Sequence, residues 1–256
     1  MRTTAVKVIF AALAFVYANA AHATLFYNET FSYPNGNLVG QDSWTAHNGG
    51  GAKPIQVVNG AINVVQSTGS GEDVNKPTGS TMGAGSKWYA AFDVSVTGTN
   101  GAGYFAHFLA GTTVFESRVF ITPANTVGND FTFGLSSTST LAQTWPTDFT
   151  FGTTHRIVVS YDFDSKLNKM WIDPTDESST SVSTTSATSD PISAFAFRQA
   201  SPNTSNTQTI DNLAVATTFA EALTPVPEPS AYITAAMGVA GLLGMARFRK
   251  SRKLAC

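Results

Sequence analysis

No ten-residue window between Thr24 and Leu223 carries an apolar stripe at helical spacing. Apolar and polar residues alternate instead in short runs, and clusters of Gly, Asn, Ser and Thr separate the runs. This pattern leaves the chain few options. Alternate side chains of an extended segment point to opposite faces, so each run has one face to bury. Strands must pair, and a sheet with one apolar face needs a second layer. The expected fold is all-β, an antiparallel two-sheet jelly-roll sandwich of ten or eleven strands.

Individual runs support this. In Ile55–Val65, two β-rich runs flank Asn59-Gly60, the signature of a hairpin with a type I′ turn. Trp88–Val96 places Phe92, Val94 and Val96 on one face and Asp93 and Ser95 on the other. Tyr104–Ala110 is apolar on both faces apart from His107, and reads as a central strand. In Phe115–Thr122 the alternation puts Phe115, Val119 and Ile121 inward, with Glu116 and Arg118 outward. Phe131, Phe133 and Leu135 alternate next, and His155–Phe163 directs Ile157, Val159 and Tyr161 inward. Lys169–Ile172, Ala194–Arg198 and Thr209–Val215 complete the set. Thr175–Asp190, rich in Ser and Thr, reads as a polar loop or a strand edge.

The two ends read as addresses. Arg2 and Lys7 precede an 11-residue apolar run, Val8–Ala18, and Ala21-His22-Ala23 forms an A-x-A cleavage site. Residues 1–23 are expected to be an export signal, with cleavage between Ala23 and Thr24. At the other end Pro227-Glu228-Pro229 is followed by an uncharged apolar segment, residues 230–246. As a helix that segment is about 25 Å long, the lower limit for crossing a bilayer. The basic residues Arg247, Arg249, Lys250, Arg252 and Lys253 within residues 247–253 would hold its end in the cytoplasm. The central domain is therefore residues 24–223, long enough to build its own core.

Charge and cysteine content exclude several functions. Between Thr24 and Leu223 the chain has 8 basic and 16 acidic residues, which the formal net charge of −2 for the whole chain conceals. No basic patch for nucleic acid is expected. The one cysteine is Cys256, so the domain has no disulfide framework, no cysteine-ligated metal and no thiol nucleophile.

The C-terminal arrangement resembles the PEP-CTERM sorting signal of Gram-negative bacteria. The resemblance covers residues 224–256 and implies recognition of Pro227, Glu228 and Pro229 by an exosortase-type transpeptidase. It also implies a protein held first in the inner membrane and then delivered to the cell surface or extracellular matrix. Two prolines flanking one residue keep this segment extended, which suits recognition as a strand.

Within the domain, Leu25–Trp44, the Val57–Val64 hairpin, the Arg156–Asp173 hairpin ending Trp171-Ile172-Asp173-Pro174, and Ile210-Asp211-Asn212-Leu213 resemble concanavalin A-like lectin/glucanase (laminin-G-type) jelly rolls. The glucanases of that family carry a Glu-x-Asp-x-(x)-Glu run, which supplies the close carboxyl pair of a retaining mechanism. Here Glu29, Glu72, Glu116, Glu177 and Glu221 lie more than ten residues from one another, so no catalytic residue is assigned. The resemblance implies calcium as the one ion to consider, with Asp162, Asp164, Asp211 and Asn212 as ligands; no other cofactor is expected. His47, His107 and His155 have no histidine partner at metal-binding spacing. Trp145, followed by Pro146 in a loop-like stretch, is the candidate for stacking on a sugar ring; Trp44, Trp88 and Trp171 read as core.

The sequence reading is an exported, non-enzymatic protein with a structural or adhesive role in an exopolysaccharide or biofilm matrix. The alternative is a lectin-like carbohydrate-binding module, and a glycoside hydrolase is disfavoured by the missing carboxylate run.

Overall fold

The computed structural model describes residues 24–66, 69, 71–98, 103–199 and 205–224. The expected export signal with Ala21 and Ala23, the Pro227-Glu228-Pro229 motif, the apolar segment 230–246 and the basic cluster Arg247–Lys253 lie outside the described residues. No helix among the described residues is long and apolar enough to cross a membrane.

In chain order the strands are β1 (Leu25–Glu29), β2 (Gly36–Asn37), β3 (Thr45–Asn48), β4 (Gln56–Val58), β5 (Ala61–Gln66), β6 (Asp73–Pro77), β7 (Lys87–Gly98) and β8 (Gly103–Ala110). They continue with β9 (Val114–Pro123), β10 (Phe131–Ser136), β11 (Gln143–Thr144), β12 (Thr154–Asp162), β13 (Leu167–Ile172), β14 (Val182–Thr185), β15 (Ala194–Phe197) and β16 (Asn206–Ala216). A short helix, α1 (Phe219–Leu223), follows.

The strands form two antiparallel sheets. The larger has nine strands, in the order β14-β13-β12-β7-β16-β5-β4-β2, with β1 added against β16. The smaller has seven, in the order β11-β10-β9-β8-β15-β6-β3. The sandwich expected from the alternation is present, and β8 is the middle strand of the smaller sheet. Asn59 (φ 53°) and Gly60 (φ 82°) both adopt left-handed backbone between β4 and β5, as a type I′ turn requires.

The main core fills the space between the sheets. Phe92, Val94 and Val96 of β7 face Phe105 and Phe108 of β8 and Phe195 and Phe197 of β15, all fully buried. Phe92 touches three of these rings edge-on or tilted at centroid distances of 5.9–6.0 Å. Ile157, Val159 and Tyr161 of β12 point the same way. With both sheets and a continuous core inside residues 24–224, this segment has what it needs to fold alone.

Three departures from the sequence reading, and one choice between its alternatives, have physical causes. First, β9 does not alternate uniformly. Ser117 (φ 51°) forms a bulge, where β8 advances from Ala106 to Phe108 while β9 advances from Val119 to Glu116. The extra residue reverses the alternation on its far side. Phe115, expected inward, packs on the outer face, and Glu116, expected outward, is buried inside. Second, of the two readings of the Ser/Thr-rich segment, polar loop or strand edge, part of it is the edge: β14 pairs with β13 at the end of the larger sheet. Third, Thr218-Phe219-Ala220-Glu221 is a capping box that starts α1: Thr218 Oγ1 accepts from the Glu221 N–H and its hydroxyl donates to Glu221 Oε2. α1 covers Tyr89, Ala91, Val158 and Trp171 on the outer face of the larger sheet. Fourth, Trp145 is buried, as described below.

Candidate functional site: the outer face of the smaller sheet

The face of the smaller sheet turned away from the core holds an unusual set of side chains. β8 contributes Tyr104 and His107, β9 contributes Phe115, Arg118 and Phe120, and β3 contributes His47. Arg198 follows β15 directly, and its N–H donates to the Phe105 carbonyl of β8 (2.8 Å), which fixes its place beside Tyr104. The Ser117 bulge is what brings Phe115 and Arg118 to the same face.

The rings form one continuous patch. His107 lies 4.2 Å from Phe115 and 5.7 Å from Tyr104 between centroids, and Tyr104 lies 5.4 Å from Phe120. His47, from the far edge of the sheet, meets His107 edge-on at 5.9 Å. The guanidinium carbons of Arg198 and Arg118 lie 4.2 and 5.3 Å from the Tyr104 centroid, within cation–π range.

The polar atoms of the patch are only partly satisfied. Neither ring nitrogen of His107 has a hydrogen-bond partner, although both are buried; the buried nitrogens of His47 have the Asn75 side chain beside them. Arg118 donates from Nη1 to the Ser137 carbonyl, while its buried Nε has no partner. Asp73 is better served: Oδ1 accepts from the Gln199 N–H (2.9 Å) and Oδ2 from Asn48 Nδ2 (3.3 Å). Burial holds His107 well below the usual imidazole range, and the positive charges of Arg118 and Arg198 add to the effect. Burial lowers His47 in the same sense and raises Asp73. His107, Tyr104, Phe120 and Arg118 are almost wholly buried; Phe115 and Arg198 are the members of the patch that present an aromatic face and a guanidinium to solvent.

Loops frame the patch. Gly134 of β10 leaves room for Leu141, which folds back over the sheet beside Phe120; a Cβ on Gly134 would lie 2.3 Å from Leu141 Cδ1. On the opposite side Gln199 bonds to Asp73 and also lines a cleft of about 280 Å³ together with Lys53, Pro54, Gln56, Val65 and Gly71.

The residues expected from the sequence to form sites lie elsewhere. Trp145 is not exposed. It is 7% accessible and packed into the main core, and its N–H donates to the Phe133 carbonyl (2.8 Å). The backbone pairing of its loop to the β10 edge swings the indole inward, which the Pro146 signal did not reveal. The four suggested calcium ligands are not brought together. Asp162 pairs with Lys87 at the start of β7, and Asp211 pairs with Asp93 six residues further along the same strand. Six residues of strand span about 20 Å. Asp162 Oδ1 accepts from the Ser165 N–H and Asp164 Oδ2 from the Gly85 N–H, as turn residues do. Asn212 donates to Asp93 Oδ2 (2.8 Å). Among the described residues no group of three or more His, Cys, Asp or Glu is arranged to hold a metal ion.

Glu116 is the titratable group the sequence hides. Ser186 Oγ donates to its Oε2, and Ser117 donates to Asn168 Oδ1 from both N and Oγ (2.7 Å each). The Ser117 hydroxyl also reaches the Ser160 carbonyl (2.8 Å), so this polar network links the two sheets through their core. Burial, aided by nearby Asp190 and opposed by Ser186 and Asn168, pushes the Glu116 carboxyl up to about 8.

No family model matches the chain, and no curated protein matches it. Solved structures do. A sialidase aligns with a TM-score of 0.50 and 14% identity over 78% of this chain and 19% of its own, so the chain spans about a fifth of that protein. Peanut lectin, solved with a 9mer peptide, gives 0.48 and 13% identity over 77% of this chain and 98% of its own. The carbohydrate recognition domain of Emp47p gives 0.47 and 11% identity over 77% and 98%. The likeness is one of fold: an antiparallel two-sheet sandwich.

Proposed function

We propose that the protein is an exported, non-catalytic carbohydrate-binding module, and that the outer face of the smaller sheet is its binding surface. One observation carries the reading. A face turned away from the core gathers Tyr104, His107, Phe115, Phe120, Arg118 and Arg198, yet leaves both His107 nitrogens and Arg118 Nε without partners. Buried polar atoms are ordinarily satisfied within a fold, and a set that is not calls for an explanation. A pyranose supplies an apolar ring face for contact with the half-buried Phe115, which Tyr104 backs at 6.3 Å, and hydroxyls for the accessible Arg198 guanidinium. Binding of matrix polysaccharide is then how the protein serves in an extracellular matrix, which joins this reading to the structural role expected from the sequence.

A glycan array probed with residues 24–224 tests it. Binding that is lost in Tyr104→Ala, with the fold retained, is the expected result. A silent array, or binding that Tyr104→Ala leaves intact, overturns the assignment of the face.

Delivery is the second part of the proposal. The export signal ending at Ala23 brings the chain across the inner membrane, and residues 230–246 with Arg247–Lys253 hold it there. An exosortase-type transpeptidase then acts at Pro227-Glu228-Pro229, and the product reaches the cell surface or matrix. The support is the order and position of these sequence features. In a host that has the transpeptidase, replacing the three motif residues with alanine should leave the protein in the membrane fraction at unprocessed mass. Release equal to wild type would reduce the motif to a linker.

A further inference from the structure

The positive charge on the binding face is only partly neutralised by the fold: Asp73 pairs with Arg198, and Arg118 has no carboxylate within 4.0 Å among the described residues. Residues 24–223 contain 8 basic and 16 acidic residues, and among the basic ones are only three arginines, Arg118, Arg156 and Arg198. Two of the three lie against the same ring, Tyr104, with Arg118 also 5.2 Å from the Phe115 centroid. A domain that is negative elsewhere therefore concentrates guanidinium groups here.

Asp73 is the nearby acid, 3.8 Å from Arg198 Nε; it also accepts from the neutral Gln199 N–H and Asn48 amide, and it offsets one of the two guanidinium charges. Arg118 forms no ion pair within 4.0 Å among the described residues. Its neighbour in sequence, Glu116, would be the natural partner on a regular strand. The Ser117 bulge sends Glu116 through the sheet into the core and leaves Arg118 on the outer face. The same bulge thus removes a carboxylate from the face and keeps the cation on it.

Resting on the carbohydrate-binding reading above, we propose that this face takes an acidic sugar, a pyranose that bears a carboxylate. The sugar ring packs against the half-buried Phe115, which Tyr104 backs at 6.3 Å, and the carboxylate accepts hydrogen bonds from Arg198 and from the small part of Arg118 that reaches the surface, 9% of that residue. Guanidinium suits this task because its planar fork matches a carboxylate and it is weakly hydrated. A neutral sugar supplies no charge to offset the remaining positive charge and gains nothing from it. Aromatic contact is common to both classes, so the discrimination lies in the charge.

The test compares oligogalacturonate, oligomannuronate and hyaluronan fragments, each beside its carboxyl-reduced, uncharged counterpart, by titration calorimetry on residues 24–224. Binding to at least one acidic oligomer is expected, with Kd roughly tenfold or more weaker for its reduced form and weakened by added salt. Arg198→Gln should abolish this preference; because Arg198 also faces the buried Asp73, the variant is paired with Arg198→Gln/Asp73→Asn, which removes the stranded carboxylate and should lose the preference equally. Arg118→Lys, which keeps the charge and removes the fork, should weaken acid binding, read at a temperature where the variant's own melting curve shows it folded, since Arg118 is buried and bonded to the Ser137 carbonyl. Equal affinity for charged and reduced oligomers, or binding confined to neutral sugars, overturns the acidic-sugar inference and leaves the carbohydrate reading standing. No binding to any of these oligomers or to any glycan on the array overturns both.

Discussion

Lys76 Nζ lies 2.7 Å from Glu29 Oε2, and both side chains are almost wholly buried. Lys76 belongs to β6 of the smaller sheet and Glu29 to β1 of the larger, so the pair joins the sheets at one end of the sandwich. Glu29 is fully provided for: Oε1 accepts from the Phe31 N–H, and Oε2 also accepts from the Tyr33 hydroxyl and Trp44 Nε1. Lys76 reaches Asp42 Oδ2 as well (2.7 Å) and lies 5.2 Å from the Tyr27 ring centroid.

Removing either partner strands the other charge in the core. Lys76→Met should therefore cost about 3 kcal/mol, measured by urea denaturation of residues 24–224. Asp42, two-thirds exposed, should matter far less: Asp42→Asn is expected to cost about 1 kcal/mol or less. Equal costs for the two variants would show that the Glu29–Lys76 pair is not the element that holds the sheets together.

Stability should fall on the alkaline side of neutrality because of Glu116. Its carboxyl is raised from 4.5 to about 8. Between those values the folded state keeps a proton that the unfolded chain has released, so stability declines as pH rises. His47 and His107 act in the opposite sense. Their values are lowered from 6.5, so below that pH the unfolded chain takes up protons that the folded state refuses. From pH 6.5 to 8 the Glu116 contribution acts without the histidines, and a loss of about 1–2 kcal/mol is expected. Glu116→Gln, which can still accept from Ser186, should flatten this limb of a melting-temperature profile. His107→Leu should lift the acid limb and leave the alkaline one alone. An alkaline slope that survives Glu116→Gln belongs to another group.

Arg156 ties α1 to the larger sheet. Nη1 donates to the Asn212 carbonyl (2.7 Å) and Asp93 Oδ1 (3.2 Å), and Nη2 donates to the Ala222 carbonyl (2.9 Å). Phe219 of α1 packs edge-on against Trp171 at 5.1 Å. Arg156→Ala should cost about 2 kcal/mol, speed amide exchange at Ala222 and Thr224, and red-shift tryptophan fluorescence as Trp171 is uncovered. Exchange at wild-type rates would mean that Phe219 alone holds the helix.

The strands of this fold are legible in the sequence because their signal is local. Phe92, Val94 and Val96 are two residues apart, and Asn59-Gly60 specifies its turn by backbone conformation alone. The candidate site is not local. His47 and His107 meet only because β3 and β8 lie in one sheet, and Arg198 reaches Tyr104 through the neighbouring strand. The Ser117 bulge defeats the period-2 reading at the point where it matters: Phe115 and Glu116 exchange faces. Nothing in Phe115-Glu116-Ser117-Arg118 marks a left-handed serine. The capping box of α1 is a true sequence signal, Thr218 to Glu221, but a five-residue helix falls below the length at which apolar periodicity shows.

Gly134 and Leu141 define one rim of the proposed binding face. Gly134 pairs with Phe120 on one side and Thr144 on the other, so its missing side chain opens a gap on the outer face. Leu141 occupies the gap. An added Cβ would lie 2.3 Å from Leu141 Cδ1, 2.9 Å from the Gln143 carbonyl oxygen and 3.5 Å from Phe120 Cβ. The leucine can turn away, whereas the carbonyl belongs to β11 and moves only with its strand. Gly134→Ala should therefore cost about 1–3 kcal/mol. Leu141→Ala alone removes a half-buried side chain and should cost about 1 kcal/mol. The double variant should recover part of the Gly134→Ala loss, because the closest clash is gone, and a double-mutant cycle by urea denaturation reads this coupling. Recovery cannot be complete while the Gln143 carbonyl remains. Strict additivity of the two changes would place the whole cost on β11, and Leu141 would then not be what fills the space above Gly134.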